Sequence, residues 1–288
     1  MKRLFVFFLT VCLLLACGQR EEKKQERNRA EKLLLARQDS LALKIAVLPT
    51  MDALPLWVAK EEGLFDREQV DVRLKPFNAH MDVDTALAEG CVEGALTDVY
   101  RVDYLEKEGM KFRRFAPTEL SWKLIANRNA RVKATRQLGD KMVAMTRHSA
   151  TEYLCDKVLE GVKTTADVFR VQINDVPLRL QMLVNNEMDA MWLPEPQATQ
   201  AQMMGHPKLA DSKQLKDSLG ILVFNEKRMK DEHRQQQLAS FARAYQAACD
   251  TIQRSGIKPF AAIIGKYTGI EEAVVDSLAQ QGLFSSKK

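Results

Sequence analysis

The sequence predicts an α/β protein of two lobes, and three observations carry that prediction. From Leu43 onward, short β-branched stretches alternate with helix-period stretches. The alternation runs through two series, with extended stretches between them. The chain of 288 residues is 46% hydrophobic and 28% charged, long enough for one large domain or two ordinary ones and apolar enough to bury a core. Strands alternating with helices imply mainly parallel sheets flanked by helices. The composition argues against disorder, collagen-like sequence and multi-pass membrane proteins.

In the first series, Leu43–Leu48 alternates and is rich in β-branched residues, so it reads as a strand. Pro49 to Asp52 is the loop, and Leu54–Glu62 the helix, with Asp52 near its N-cap and Gly63 as its stop. Val70–Leu74 is a strand, Asn78–Asp82 a loop and Val83–Glu89 a helix ended by Gly90. Gly94–Thr97 is a third strand before a helix over 99–108, and 112–116 and 121–126 are extended. The second series opens with strand Met142–Met145. Ser149 and Glu152 then fit the S-x-x-E capping box of a helix ending at Gly161. Val168–Ile173 is a strand, and Asp175-Val176-Pro177 opens a helix with a capping Asp and an early Pro. Met188–Trp192 is a strand, Leu193–Pro196 a rigid loop, and a helix runs on to Met204. Ile221–Phe224 is extended, and helices follow over 231–254, 259–266 and 270–281.

The N-terminus has a different character. Lys2 and Arg3 precede an apolar run of 13 residues, Leu4 to Ala16, in which Thr10 is the one polar residue. At helical rise this spans roughly 20 Å, short of a bilayer's apolar core, and the pattern is secretory. It ends Leu14-Leu15-Ala16-Cys17-Gly18, which resembles a bacterial lipoprotein lipobox. That resemblance implies removal of residues 1–16 and acylation of Cys17, anchoring the protein to a membrane of the cell envelope. A cleaved signal with an incidental Cys and a permanent transmembrane anchor are the alternatives. Residues 17–42 form a charged tether, too polar to bury a core of their own. The net charge of +5 sits mostly here: the body from residue 43 has 34 basic and 33 acidic residues. A body so nearly neutral gives no reason to expect nucleic acid.

Four stretches of the body resemble one family. Ala53 to Phe65 (ALPLWVAKEEGLF) is similar to the first helix of type 2 periplasmic binding proteins of the nitrate/sulfonate/taurine and thiamine-precursor (NMT1/THI5-like) branch. Ala86–Gly90 with Glu93–Asp98, Ser149–Tyr153, and Asp189–Pro196 (DAMWLPEP) resemble later segments of the same family, in order and spacing. Glu93, Cys91 and Val92 depart from its pattern, and Arg101 and Asp103 add charge near the third loop. The resemblance implies a Venus-flytrap fold, with lobe 1 over 43–121 and 222–288, lobe 2 over 122–221, and a hinge near Ser121 and Leu222. It implies a monomer that is not an enzyme, carries no cofactor and faces the periplasm. Such a protein captures a small solute in its cleft and delivers it to an ABC permease and its ATPase. A thiamine-pyrimidine enzyme on the same fold is one alternative, and a lipoprotein presenting ligand to a sensor another.

In α/β folds ligands gather at the carboxyl ends of the strands. Thr50, Met51 and Asp52 follow the first strand there, and Thr97 and Asp98 lie at the end of the third. Helix N-termini in such loops suit anions, although Asp52, Asp98 and Asp175 can equally be caps. Thr146, Arg147, His148 and Ser149 open the second-lobe helix, and Asn78 is a polar loop residue. Glu195 lies between two prolines, and the family resemblance turns it toward the cleft. Trp122, beside the hinge, is the aromatic expected to pack on a ligand, while Trp57 and Trp192 read as core. The acids suit an amine or aminopyrimidine; Arg147, His148 and the helix N-termini suit a sulfonate-, taurine- or nitrate-like anion. The balance leans to an organic, nitrogen-bearing solute. No nucleotide-loop, hydrolase-elbow or zincin motif occurs, and the four histidines show no metal spacing. Cys91, Cys155 and Cys249 read as small core residues without a CxxC.

Overall fold

The computed structural model describes residues 29, 31–33, 39–215 and 218–284. The leader, Cys17 and most of the tether lie outside the described residues. Arg29, Glu31 to Leu33 and Asp39 to Leu41 are helical and belong to an N-terminal unit that ends at Ala42. The body begins at Leu43. Among the described residues, no helix is long and apolar enough to cross a membrane.

The body holds two five-stranded sheets. The first comprises β1 (Leu43–Val47), β2 (Val72–Pro76), β3 (Gly94–Asp98), β4 (Phe112–Thr118) and β10 (Gly220–Asn225), in the order β2-β1-β3-β10-β4. The second comprises β5 (Trp122–Ala126), β6 (Met142–Met145), β7 (Phe169–Gln172), β8 (Ala190–Pro194) and β9 (Lys208–Asp211), in the order β7-β6-β8-β5-β9. β1 pairs in parallel with β2 and β3, while β10 runs antiparallel to both β3 and β4. The second sheet repeats this plan, with β6 parallel to β7 and β8 and with β5 antiparallel to β8 and β9. Four strands of each sheet therefore run one way, and the reversed strand adjoins a segment where the chain passes between sheets.

Helices cover both faces of each sheet. They are α1 (Leu54–Glu61), α2 (Leu64–Arg67), α3 (His80–Glu89), α4 (Val99–Lys107), α5 (Ala150–Leu159), α6 (Val176–Val184), α7 (Gln197–Met203), α8 (Glu232–Ser255), α9 (Ala261–Thr268) and α10 (Glu272–Gln280). Side chains alternate across a strand, and the cores follow that period. Leu43, Ile45 and Val47 of β1 and Leu222 and Phe224 of β10 enter the core shared with α1, α8, α9 and α10. Ala46, Ile221 and Val223 point the other way, into the core under α3 and α4. In the second sheet Trp122, Leu124 and Trp192 face one core, and Ile125, Met191 and Leu193 face the other.

Several element ends differ from the sequence expectation. α3 starts at His80 rather than Val83, so part of the expected loop is helical. β8 runs to Pro194, placing Leu193 and Pro194 in the sheet, where no N–H is needed from the terminal Pro. β9, four residues in a polar stretch, carries no clear alternation in the sequence. The capping box at α5 also takes another form. Ser149 Oγ accepts from Thr151 N at 3.1 Å, and the Glu152 carboxylate accepts from His148 N at 2.7 Å. Asp52 does not cap α1: it sits in a 3-10 turn over Met51–Ala53, with Ala53 as the N-cap residue.

Candidate functional site

The loops after β1, β2 and β3 meet those after β6, β7 and β8 at the carboxyl ends of the parallel strands. Backbone bonds join the two sheets' loops directly. Met51 N donates to Glu195 O at 2.9 Å, and Val176 N donates to Asn78 O at 2.9 Å. Ala79 and Asp175 form an isolated antiparallel bridge beside the latter. Gln197 Nε2 donates to Pro49 O at 2.8 Å, and Arg101 Nη1 donates to Arg147 O at 2.8 Å. Tyr100 stacks on Tyr153 and Tyr104 on His148, with centroids 4.5 and 4.4 Å apart.

Asp98 is the pivot of this junction. It caps α4, its Oδ1 accepting from Tyr100 N and Arg101 N, and the same oxygen accepts Ala150 N at the start of α5, each at 3.0 Å. One carboxylate thus serves helix N-termini from both sheets. Burial raises its pKa to about 7, against the pull of those three N–H groups. Asp52 is similarly raised, to about 6 and chiefly by burial. It accepts from Thr50 Oγ1 at 2.6 Å and Thr118 Oγ1 at 3.4 Å.

Thr50, Met51, Asp52, Thr97, Asp98, Thr146, Ser149 and Glu195 are all buried at the junction. Asp175 lies on its rim and caps α6 through Leu178 N at 2.7 Å. Asn78 and His148 are exposed there. Glu195 is held by Lys123 at 2.5 Å and accepts Thr199 N at 3.0 Å, so both its oxygens are engaged. Trp122 corrects an expectation: it is 1% exposed within the core that holds Leu124 and Trp192. The even-numbered register of β5 turns it inward, so its ring packs on core and not on an open cleft wall. Trp57 and Trp192 are buried in the two cores as expected.

The structure adds four charged or titratable residues that sequence reading did not single out as ligands. His80 and Asp84 lie one turn apart on α3, and Arg101 of α4 forms a buried ion pair with Asp84. Arg179 of α6 is 2% exposed and donates to Ile173 O at 2.7 Å, Trp192 O at 2.8 Å and Thr146 Oγ1 at 2.5 Å. Burial lowers its pKa to about 10, which leaves it protonated at neutral pH. Burial, with Arg179 and Arg101 nearby, pushes His80 down to about 3, so its imidazole is neutral. Among the described residues, eight buried atoms here have no hydrogen-bond partner: His80 Nε2, both Asp84 carboxylate oxygens, Thr97 Oγ1, Asp98 Oδ2, Arg101 Nε, Glu195 Oε1 and Gln197 Oε1, of which Asp84 Oδ2 and Glu195 Oε1 lie in ion pairs with Arg101 and Lys123. The available signal was a lone charge in an apolar run, as with Arg179 in VPLRLQMLV and Lys123 in WKLIA.

The NMT1/THI5 like family model matches residues 50–255, more than half of the chain. The chain belongs to the NMT1/THI5-like family. No curated protein matches it at the sequence level. Its fold is that of the two-lobed periplasmic binding proteins. It is similar to the alkanesulfonate-binding protein SsuA from Xanthomonas axonopodis pv. citri bound to MOPS, at TM-score 0.72 and 15% identity over 83% of each chain. It is also similar to the periplasmic nitrate-binding protein NrtA from Synechocystis PCC 6803, at TM-score 0.71 and 15% identity over 83% of this chain and 69% of that one. The periplasmic aliphatic sulphonate binding protein SsuA from Escherichia coli gives TM-score 0.66 and 16% identity over 83% and 82%.

Proposed function

We propose that this NMT1/THI5-like protein is a solute receptor of an ABC importer, not an enzyme, held by lipid on Cys17 to a membrane of the bacterial cell envelope and facing the periplasm. Solute enters between lobe 1 (43–121 and 222–288) and lobe 2 (122–221), and hinge closure presents the loaded form to permease and ATPase. The observation that carries this reading is the group of buried, unpartnered polar atoms at the junction of the strand ends. Leaving such atoms unpaired costs about 1–3 kcal/mol each, and a bound solute supplies the missing partners. The family membership and the similarity to SsuA and NrtA support the same reading. Thr50, Asp52, Asn78, Thr97, Asp98, Thr146, His148, Ser149, Asp175 and Glu195 are the proposed surround of that solute.

Native mass spectrometry of the protein purified from its own cells tests the proposal. A non-covalent small molecule, recovered unchanged after unfolding, is the expected result. Conversion of the molecule on incubation would replace the receptor reading with an enzymatic one. Mass spectrometry of the mature N-terminus tests the anchor: a chain that begins at an acylated Cys17 is expected, and one with an unmodified Cys17 overturns it.

A further inference from the structure

Resting on the reading of the junction as a solute cleft, we infer that its mouth is held shut by a backbone clasp between the loops after β2 and β7, and that this clasp sets how often the two lobes part.

The topology puts the clasp at the mouth. The chain crosses from the first sheet to the second between β4 and β5, and returns between β9 and β10. β2 is the edge strand farthest from that crossing in the first sheet, and β7 is its counterpart in the second. At about 4.8 Å between neighbouring strands, β2 stands roughly 14 Å from β10. Rotation about the crossing therefore separates the loops after β2 and β7 more than any other facing pair. A bond between them resists opening with the longest lever.

The clasp itself is main chain. Ala79 and Asp175 pair as an isolated antiparallel bridge, and Val176 N donates to Asn78 O at 2.9 Å. Ala79 is the N-cap residue of α3 and Asp175 that of α6, with extended backbones at φ −126°, ψ 138° and φ −75°, ψ 120°. The last extended residue before each helix thus pairs with its counterpart across the mouth. Val176 N is one of the first-turn amides that α6 has no means to satisfy within itself, and the opposite sheet's loop supplies the acceptor. Ala79 is 8% and Val176 1% exposed, so the bridge is shielded from water. Beside it, Met81 Sδ of α3 accepts from Asn174 Nδ2 at 2.8 Å and Gln172 Nε2 at 3.3 Å.

Two further rows of contact stand behind the clasp. Met51 N meets Glu195 O, and Asp98 Oδ1 takes Ala150 N. Thr50, Asp52, Thr97 and Thr146 lie among these rows, each 2% exposed or less. A solute reaches them when the rows part, and the clasp is the row that must travel farthest. Being main chain, it resists opening whatever the chemistry of the solute.

Hydrogen exchange of the full chain without added solute, resolved to single amides by mass spectrometry, tests the inference. Val176→Pro removes the N–H at the first position of α6, where Pro is favoured, and the extended backbone of Asp175 accepts a succeeding Pro. Val176→Ala loses side-chain packing but keeps the N–H. The Pro variant is expected to speed exchange at Met51 and Ala150 about tenfold, and the Ala variant to stay within about twofold of wild type, with β1 and β6 unchanged in both. Wild-type protection of Met51 and Ala150 in the Pro variant, or equal acceleration in both variants, overturns the inference. Should Val176→Pro loosen β1 and β6 as well, the double variant Ala79→Cys/Asp175→Cys decides, because residues opposed in such a bridge lie within disulfide reach. Its oxidised form is expected to exchange Met51 and Ala150 at least about tenfold more slowly than its own reduced form, and no difference overturns the inference. None of these readouts uses solute, so the mass measurement above judges the receptor reading separately.

Discussion

Lys123 and Glu195 join β5 to the end of β8 through a buried ion pair at 2.5 Å, each side chain about 5% exposed. Lys123 Nζ also donates to Gln281 Oε1 at 2.6 Å and Gln202 Oε1 at 3.3 Å. Replacing Lys123 by Met removes the cation and leaves the Glu195 carboxylate buried with only Thr199 N as donor. Breaking a buried pair from one side costs about 3–5 kcal/mol. At roughly 2–4 °C per kcal/mol for a body of this size, the melting temperature should fall by about 10 °C. Glu195→Gln keeps an acceptor for Thr199 N and removes the stranded charge. The double variant Lys123→Met/Glu195→Gln should therefore recover most of the loss, with a coupling of about 2 kcal/mol or more. Urea denaturation of the wild type, both single variants and the double variant measures this cycle. A single-variant loss below about 1 kcal/mol, or strict additivity in the double, would refute the reasoning.

Thermal stability should rise as pH falls from 8 to 6.5. Burial raises Asp98 to about 7 and Asp52 to about 6, so the folded state holds these protons more tightly than the unfolded chain, and their contribution is lost as pH rises through those values. Below about 6.5 the unfolded chain protonates His80, whose folded value is near 3, and that opposing change should flatten the curve; Asp98→Asn should remove most of the rise, as melting curves across the range will show. A Cβ built on Gly94 would stand 2.7 Å from the Phe224 ring and 2.9 Å from Val223 O, so Gly94→Ala should cost about 1–3 kcal/mol in urea denaturation. Cys91 is exposed and not the core residue its sequence suggests, so maleimide should modify it rapidly in the native body and spare Cys155 and Cys249, whose thiols burial raises to about 11; mass spectrometry after a short pulse, with and without urea, reads the difference.

The fold was legible where local and global preference agree. β1 alternates, Asp175 with Pro177 marks α6, Asp231 caps α8, and each places its element within a residue or two. β9 was not legible, because a short edge strand in polar sequence carries no period of its own. The loops at the strand ends were identified, and eight of the residues named from them are buried together there. What sequence could not supply was the partner of each polar group. Glu195 reads as a cleft acid but is taken by Lys123, whereas Ser149 and Asp175 cap the helices they begin, as their capping patterns suggest. His80 looks like a loop residue, and Asp84 and Arg179 like ordinary helix residues, until the fold brings Asp84 against Arg101 and Arg179 against Thr146.

The insertion of β10 between β3 and β4 has a consequence for how the body assembles. β4 finds its neighbour only when residues 220–225 arrive, after roughly 100 further residues, the kind of non-local pairing that slows folding. The second sheet shortens that wait. It is continuous in sequence from β5 to β9, and these two strands are neighbours, Lys123 opposite Asp211. Once they pair, the end of β4 and the start of β10 are tied through a loop of roughly 14 residues, not roughly 100, which lowers the entropy of closing it by about 2 kcal/mol. The second sheet thus acts as a template for the first, and a lesion in β5 or β9 should be felt in the assembly of strands it never touches.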